Sequence, residues 1–256
     1  MENLDFDLKG RLMAGHPLKI DDKLELPPKT VGEILYLGES NYSHKIGLLS
    51  IDKESLIKDP KTLEEMKDIT TFDIIVENCY HSIESRRQII GYLEYFFNDT
   101  VGFFENDLCF FIGEIEDDKL LHRGNYDKFL ECMKIQNKID NNKAKRQPKK
   151  QSKKAEMLRA KMMKGRQQLA EARGQDDIKL SDLFLNLSVF LGGDFKAVND
   201  LTLYQFYELY QKFIRKERYE QNFDVYIAGG DPKSLDLDNH WTMKEVKKVQ
   251  ERPQSI

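Results

Sequence analysis

The chain has 256 residues, with 40 basic side chains against 44 acidic ones, five histidines and three cysteines; 40% of it is hydrophobic and 33% charged. That balance suits a folded chain of one large domain or two small ones, since single cores stop growing near ~250 residues. No apolar run approaches the ~18 residues of a membrane helix, and Cys79, Cys109 and Cys132 lack the pairing of a thiolate zinc site or a disulfide framework.

The acidic opening MENLDFDLKG lacks the basic-then-apolar order of a signal peptide, so the expectation is a soluble protein of a reducing cytoplasm. Leu18, Ile20, Leu24 and Leu26 alternate with polar residues before Pro27-Pro28, which predicts a short extended element or hairpin. Thr30 followed by Glu33 reads as a capping box opening a helix through Leu37, with Gly38 ending it. Further helices are predicted at Tyr42 to Leu49, at Leu63 to Tyr80 and, behind Ser82 as N-cap, at Ile83 to Phe97. From Val101 to Ile115 the pattern becomes two short strands joined at Asn106 and Asp107. Asn125 is the expected cap of the next helix, with Phe129, Met133 and Ile135 inward.

A basic strip follows. Lys143 to Arg173 holds twelve basic and two acidic side chains, a net +10, so with −4 for the whole chain the remainder carries −14. Its first half is Pro-containing and almost without apolar residues, a solvated linker. Its second half is rich in helix formers, with Leu158, Met162 and Leu169 near one face. Three readings fit the strip: a solvated linker and helix, a surface for an acidic protein partner, and a nucleic-acid contact. Lysine outnumbers arginine and no aromatic is interleaved, which disfavours nucleic acid because base stacking is not offered.

Beyond the strip, Ser181 opens a helical run that Gly192-Gly193 ends. Leu201 to Ile227 then holds eight of the 27 aromatics, with Thr202 as N-cap, Gly229-Gly230 as C-cap, and a polar middle, Arg215 to Glu220, that reads as a bend or an exposed turn. A polar connector leads to His240-Trp241 and a short basic helix. The fold class expected is mainly α (α+β): an α-rich N-terminal domain with a small β-hairpin element over 1–140, a basic linker and helix over 141–174, and a small helical C-terminal domain over 175–256.

Chemistry leaves little trace. The five histidines are scattered, no pair sits at i, i+4, and the nucleophile-elbow, P-loop and dinucleotide motifs are missing. Glu114, Glu116, Asp117 and Asp118 read as an acidic solvated loop before a cation site, and Cys79 beside His81 as a small core residue before a reactive thiol. No catalytic, cofactor-binding or metal residue is assigned, and a non-enzymatic function is expected. The candidate partner-binding residues are Tyr204, Phe206, Tyr207, Tyr210, Phe213 and Trp241, with Lys153, Lys154, Arg159, Lys161 and Arg166 from the basic helix. A wide Tyr/Phe stripe is first of all core; Tyr also suits surfaces that are alternately wet and buried.

The order of motifs resembles tail assembly chaperones of long-tailed bacteriophages. The resemblance rests on Leu201-Thr202, Gln205-Phe206-Tyr207, Ala228-Gly229-Gly230-Asp231, Lys233 and His240-Trp241, on KAEMLRAKMMKGRQQLAEARG and IKLSDLFLNLSVFLGG before them, and on GHPLKIDDKLELPPKTVGEILYLGESNYSHKIGLLSI near the start. Gly230 stands where the pattern has a third-position Ala. The resemblance implies a host-cytoplasmic protein, absent from the mature virion, that keeps the tape-measure protein soluble and recruits tail-tube protein, with self-association open and no membrane contact. The remaining alternatives are a nucleic-acid-binding or regulatory phage protein acting through 143–173, and a minor structural or adaptor protein.

Overall fold

A computed structural model describes residues 6–51, 68–139, 179–231, 235, 237 and 240–242. The expected strip at 141–174 and the tail beyond Thr242 lie outside them. The class is the one expected: α-rich with two small antiparallel sheets, a mixed α+β fold.

Helix α1 (Phe6–Met13) leads into strands β1 (Leu18–Lys19) and β2 (Glu25–Leu26), paired Leu18 to Leu26 and Lys19 to Glu25. The alternation does what period two demands: Leu18, Ile20, Leu24 and Leu26 are all buried. The Asp21 carboxylate closes the loop by accepting from the Lys23 and Leu24 amides at 2.9 and 2.8 Å. Helices α2 (Val31–Leu37) and α3 (Glu39–Leu49) meet at Gly38, so α3 begins three residues before the expected start at Tyr42. The Thr30–Glu33 capping box is present in both directions.

Helix α4 (Thr71–His81) does not continue back to Leu63 as predicted. Residues 63–67 lie outside the described ones, and Ile69 and Thr70 are non-helical. Thr70 and Asp73 form a second capping box that starts the helix there. Helix α5 (Ile83–Phe97) is capped by Ser82 as expected. Strands β3 (Val101–Phe104) and β4 (Cys109–Ile112) form the predicted hairpin, and β5 (Leu120–Leu121), not foreseen, adds a third strand in the order β3-β4-β5. Gly102 is required in β3, because a Cβ there would lie 2.1 Å from the Phe111 ring that crosses it.

Helix α6 (Tyr126–Gln136) closes the N-terminal segment. Asn125 precedes it without the expected side-chain cap. Its amide instead accepts from the His122 N–H at 2.8 Å and donates to Asp21 and to the Leu120 carbonyl at 2.7 and 2.8 Å, tying the loop before α6 to the first hairpin. The core beneath is aromatic: Phe72 and Tyr126 at 5.2 Å, Phe97 stacked on Phe129 at 5.5 Å, and the buried Tyr126 hydroxyl donating to the Leu49 carbonyl at 2.7 Å.

Helices α7 (Leu180–Phe190), α8 (Phe195–Asp200) and α9 (Leu203–Ile227) follow. Their roots belong to the same buried cluster: Leu180, Leu187, Val198, Leu203, Tyr204 and Phe206 pack with Val31, Ile34 and Tyr42. The join is made by two helix starts set against each other. The Val31 amide donates to the Leu201 carbonyl at 2.8 Å and the Leu203 amide to the Lys29 carbonyl at 3.0 Å, with Thr30 facing Thr202 in an antiparallel bridge. Both threonines are N-caps, so one contact satisfies orphan donors of two helices at once. Replacing Thr202 by alanine, which removes the acceptor for the Gln205 amide at 3.2 Å, is expected to lower stability by about 1 kcal/mol, measurable by chemical denaturation.

Candidate functional site: the apolar faces of the C-terminal helices

Helix α9 has 25 residues, a length of about 37 Å, yet its buried residues are confined to the first turn: Leu203, Tyr204 and Phe206. At about 100° per residue, Phe206, Tyr210 and Phe213 share a sector facing the other helices. Phe206 stacks on Tyr210 at 6.2 Å, Tyr210 meets Phe213 at 5.9 Å, and Phe213 meets Phe190 of α7 at 4.8 Å. By the same arithmetic Tyr219, Phe223 and Tyr226 point roughly the opposite way. They form a second, separate row: Tyr219 stacked on Phe223 at 6.3 Å, and Phe223 next to Tyr226 at 6.4 Å. The helix runs unbroken through Arg215 to Glu220, so that polar stretch is continuous helix and not a bend, with Arg218 and Glu220 exposed and the residues between and before them half-buried.

The distal row is partly clothed by the returning chain. Gly229, at φ +93°, ends α9 in a Schellman turn, with the Gly230 amide reaching back to the Val225 carbonyl at 2.9 Å and Gly229 to Tyr226 at 3.0 Å, as the glycine pair predicted. The His240 ring then sits 4.7 Å from Tyr219, and Lys212 donates to the Trp241 carbonyl at 3.2 Å. Past that cover the face lies open: Phe223 is 44% exposed, Tyr226 46% and Ile227 68%. On α7, Leu185 and Val189 are open as well, Val189 to 77%. Solvent-exposed apolar side chains grouped in this way mark interaction surfaces.

The residues singled out from the sequence divide accordingly. Tyr204 and Phe206 are interior, 2% and 0% exposed, and take no part in an accessible face. Burial, reinforced by the Glu208 charge, pushes the Tyr204 hydroxyl up to about 12. Tyr207, Tyr210, Phe213 and Trp241 are half-buried. Tyr207 lines a cavity of about 180 Å³ with Ile34, Tyr42, Ile46 and Leu180; burial, and then the Glu39 charge, raise its pKa. Lys153, Lys154, Arg159, Lys161 and Arg166 lie outside the described residues. The site list missed Val189, Phe223, Tyr226 and Ile227. A helical-wheel count separating residues 203–213 from 219–227 would have found the last three.

One charged cluster anchors α9. The Glu208 carboxylate takes Lys9 from α1 at 3.1 Å and Lys138 from the end of α6, and the Lys138 ammonium lies 4.9 Å over the Tyr204 ring. Burial works to raise the Glu208 pKa, but the hydrogen bonds from Lys138 and Lys9 outweigh it and hold it below its usual 4.5. A carboxylate with a depressed folded pKa stabilises above its unfolded value and loses that contribution as pH falls through the folded one. The melting temperature of the wild-type chain should therefore exceed that of Glu208→Gln at neutral pH, with the gap closing below about pH 4.

The other chemical candidates are quiet. Asp117 pairs with Lys119 at 2.8 Å and Asp118 with Lys23. Among the described residues no group of three His, Cys, Asp or Glu side chains is placed to hold a metal ion. Cys79, Cys109 and Cys132 are free and buried. Burial pushes Cys79 and Cys132 up to about 11, away from the thiolate a nucleophile requires. Among the described residues no helix is long and apolar enough to cross a membrane.

Residues 172–245 match the family model of the YomV second domain, a stretch that contains α7, α8, α9 and His240-Trp241. It is less than a third of the chain, and it points to a phage-derived protein without naming a tail assembly chaperone. No curated protein and no solved structure matches the chain.

Proposed function

We propose that the chain is a non-enzymatic phage tail assembly chaperone. It would hold an apolar segment of the tape-measure protein on the distal face of α9 and help recruit tail-tube protein, acting in the host cytoplasm and absent from the finished virion. The observation that carries this reading is the open aromatic row of Phe223 and Tyr226, on the side of α9 turned away from Phe206, Tyr210 and Phe213, with Ile227 open at the same end of the helix. A holding protein needs apolar contact that can form and release, and a half-exposed aromatic row supplies it without a deep pocket. Its 33% charged residues keep such a surface soluble. The YomV second-domain match covers the helices that bear the face, which supports the phage setting.

Co-expression with the tape-measure protein encoded by the same phage is the test. The soluble yield of that protein should rise several-fold over expression alone, and mass spectrometry of purified particles should not find the chaperone. Unchanged yield with both proteins well expressed, or stoichiometric presence in particles, would sink the proposal.

A further inference from the structure

The geometry points to a binding site for one neutral aromatic ring carrying a hydrogen-bond donor, of the indole class, in the cavity of about 180 Å³ where α2, α3, α7 and α9 meet. This goes beyond the proposed client face, which lies on the distal half of α9.

The cavity follows from how α3 is set. Gly38, at φ +89°, turns the chain between α2 and α3. Glu39, Tyr42, Ser43 and Ile46 then fall at i, i+3, i+4 and i+7, one face of α3. That face looks across the space at Ile34 of α2, Leu180 of α7, and Leu203 and Tyr207 of α9. Ile34, Tyr42, Leu180 and Leu203 are buried, whereas Ser43 and Ile139 at the rim are exposed, so the chamber has an apolar interior and a mouth in contact with solvent. Folded cores leave few voids larger than a water molecule, and an apolar void of about 150 Å³ admits benzene. This one is larger and has room for a ring system the size of indole.

Its polar groups select the chemistry. One Glu39 oxygen accepts from the Ser181 amide, in the first turn of α7, at 3.1 Å; the other takes no hydrogen bond among the described residues. The Ser43 and Tyr207 hydroxyls make none among them either, while the Tyr42 hydroxyl already donates to Asn137 at 2.5 Å. Burial, and then the Glu39 charge, raise the Tyr207 pKa, which keeps that hydroxyl protonated near the carboxylate. The positive end of α7 already opposes the Glu39 charge, so a neutral N–H completes the acceptor without a second cation. The rings of Tyr42 and Tyr207 in the wall favour an aromatic body over an aliphatic one, through edge and offset contacts.

The test titrates the full-length chain, isotope-labelled at its isoleucine and leucine methyls, with indole. Saturable shifts are expected at Ile34, Ile46, Leu180 and Leu203, with a dissociation constant below ~1 mM, within reach of a ligand this small. Benzofuran, a ring of the same size without the N–H, should bind at least about five-fold more weakly. Glu39→Gln should cut that preference to about two-fold, because a neutral acceptor makes a bond roughly half as strong as a charged one. The comparison of the two rings on the wild-type chain stands even where the variant folds poorly. Two further probes separate the sources of the ring: equal binding of 3-methylindole and N-acetyltryptophanamide would support a side chain of a partner polypeptide, and loss with the amide alone would support a free small molecule. Methyls that do not saturate with indole, shifts confined to other parts of the chain, or benzofuran or benzylamine binding as tightly as indole would overturn the inference. None of these results bears on the co-expression test, which reads the distal face of α9.

Discussion

Phe206→Ala is expected to cost about 3–5 kcal/mol of folding stability, a large share of the ~5–15 kcal/mol that folded domains possess. The side chain is fully buried, its ring stacked on Tyr210 and edge-on to Tyr207, so removal leaves a cavity that neighbouring aromatics cannot refill without leaving their rotamers. The form of the loss is as informative as its size. Because Leu203 and Val31 exchange backbone hydrogen bonds across the join, and Phe206 shares a cluster with Ile34 and Tyr42, the C-terminal helices and the N-terminal segment should unfold together. A urea titration followed by both circular dichroism and Trp241 fluorescence should show coincident transitions shifted to lower urea. A variant that moved only one of two separated transitions would mean that residues 180–227 stand on a core of their own.

The helix ends were legible wherever the signal was local. Thr30 to Glu33, Ser82, Thr202 and the Gly229-Gly230 pair each act within a turn, and each stands where the sequence placed it. Thr70 was hidden by a stronger pattern: Met66, Ile69 and Phe72 keep helical spacing straight through it, and periodicity alone does not register that a capping side chain sets the start of the helix. Asn125 shows the opposite limit. Its residue type favours capping, but its amide oxygen, the atom a cap would use, is taken by the His122 N–H three residues back, while its NH2 reaches Asp21, 104 residues away. Strand β5, two residues long, exists only because β4 offers an edge beside it.

The candidate site was half legible for a related reason. Aromatic density located α9, but density is a scalar, and it merged a row facing the core with a row facing away. Charge density did the same at 141–174: it marked a segment without assigning it a target. What separates the two aromatic rows is phase along the helix, and phase becomes informative only once the helix is known to run straight through Arg215 to Glu220. Half of the apparent stripe could then be given to the core and half to solvent.

That division makes the second large effect selective. Phe223→Glu combined with Tyr226→Glu should abolish the proposed holding activity while leaving the fold nearly untouched. Both side chains are more than 40% exposed, and glutamate is a better helix former than either aromatic, so the gain in propensity offsets most of the lost ring contacts. The residual penalty is the negative charge placed near the carbonyl end of α9, a few tenths of a kcal/mol. Against an apolar client the balance reverses. Each buried, unpaired carboxylate costs at least ~2 kcal/mol, so the pair should weaken binding by about a thousand-fold at ~1.4 kcal/mol per decade. On the proposed function, the soluble yield of the co-expressed tape-measure protein should fall to the level seen without this chain, at a nearly unchanged melting temperature. Phe206→Ala should lower both together. A double glutamate variant that still solubilised the client would move the binding face off the end of α9, whatever the client turns out to be.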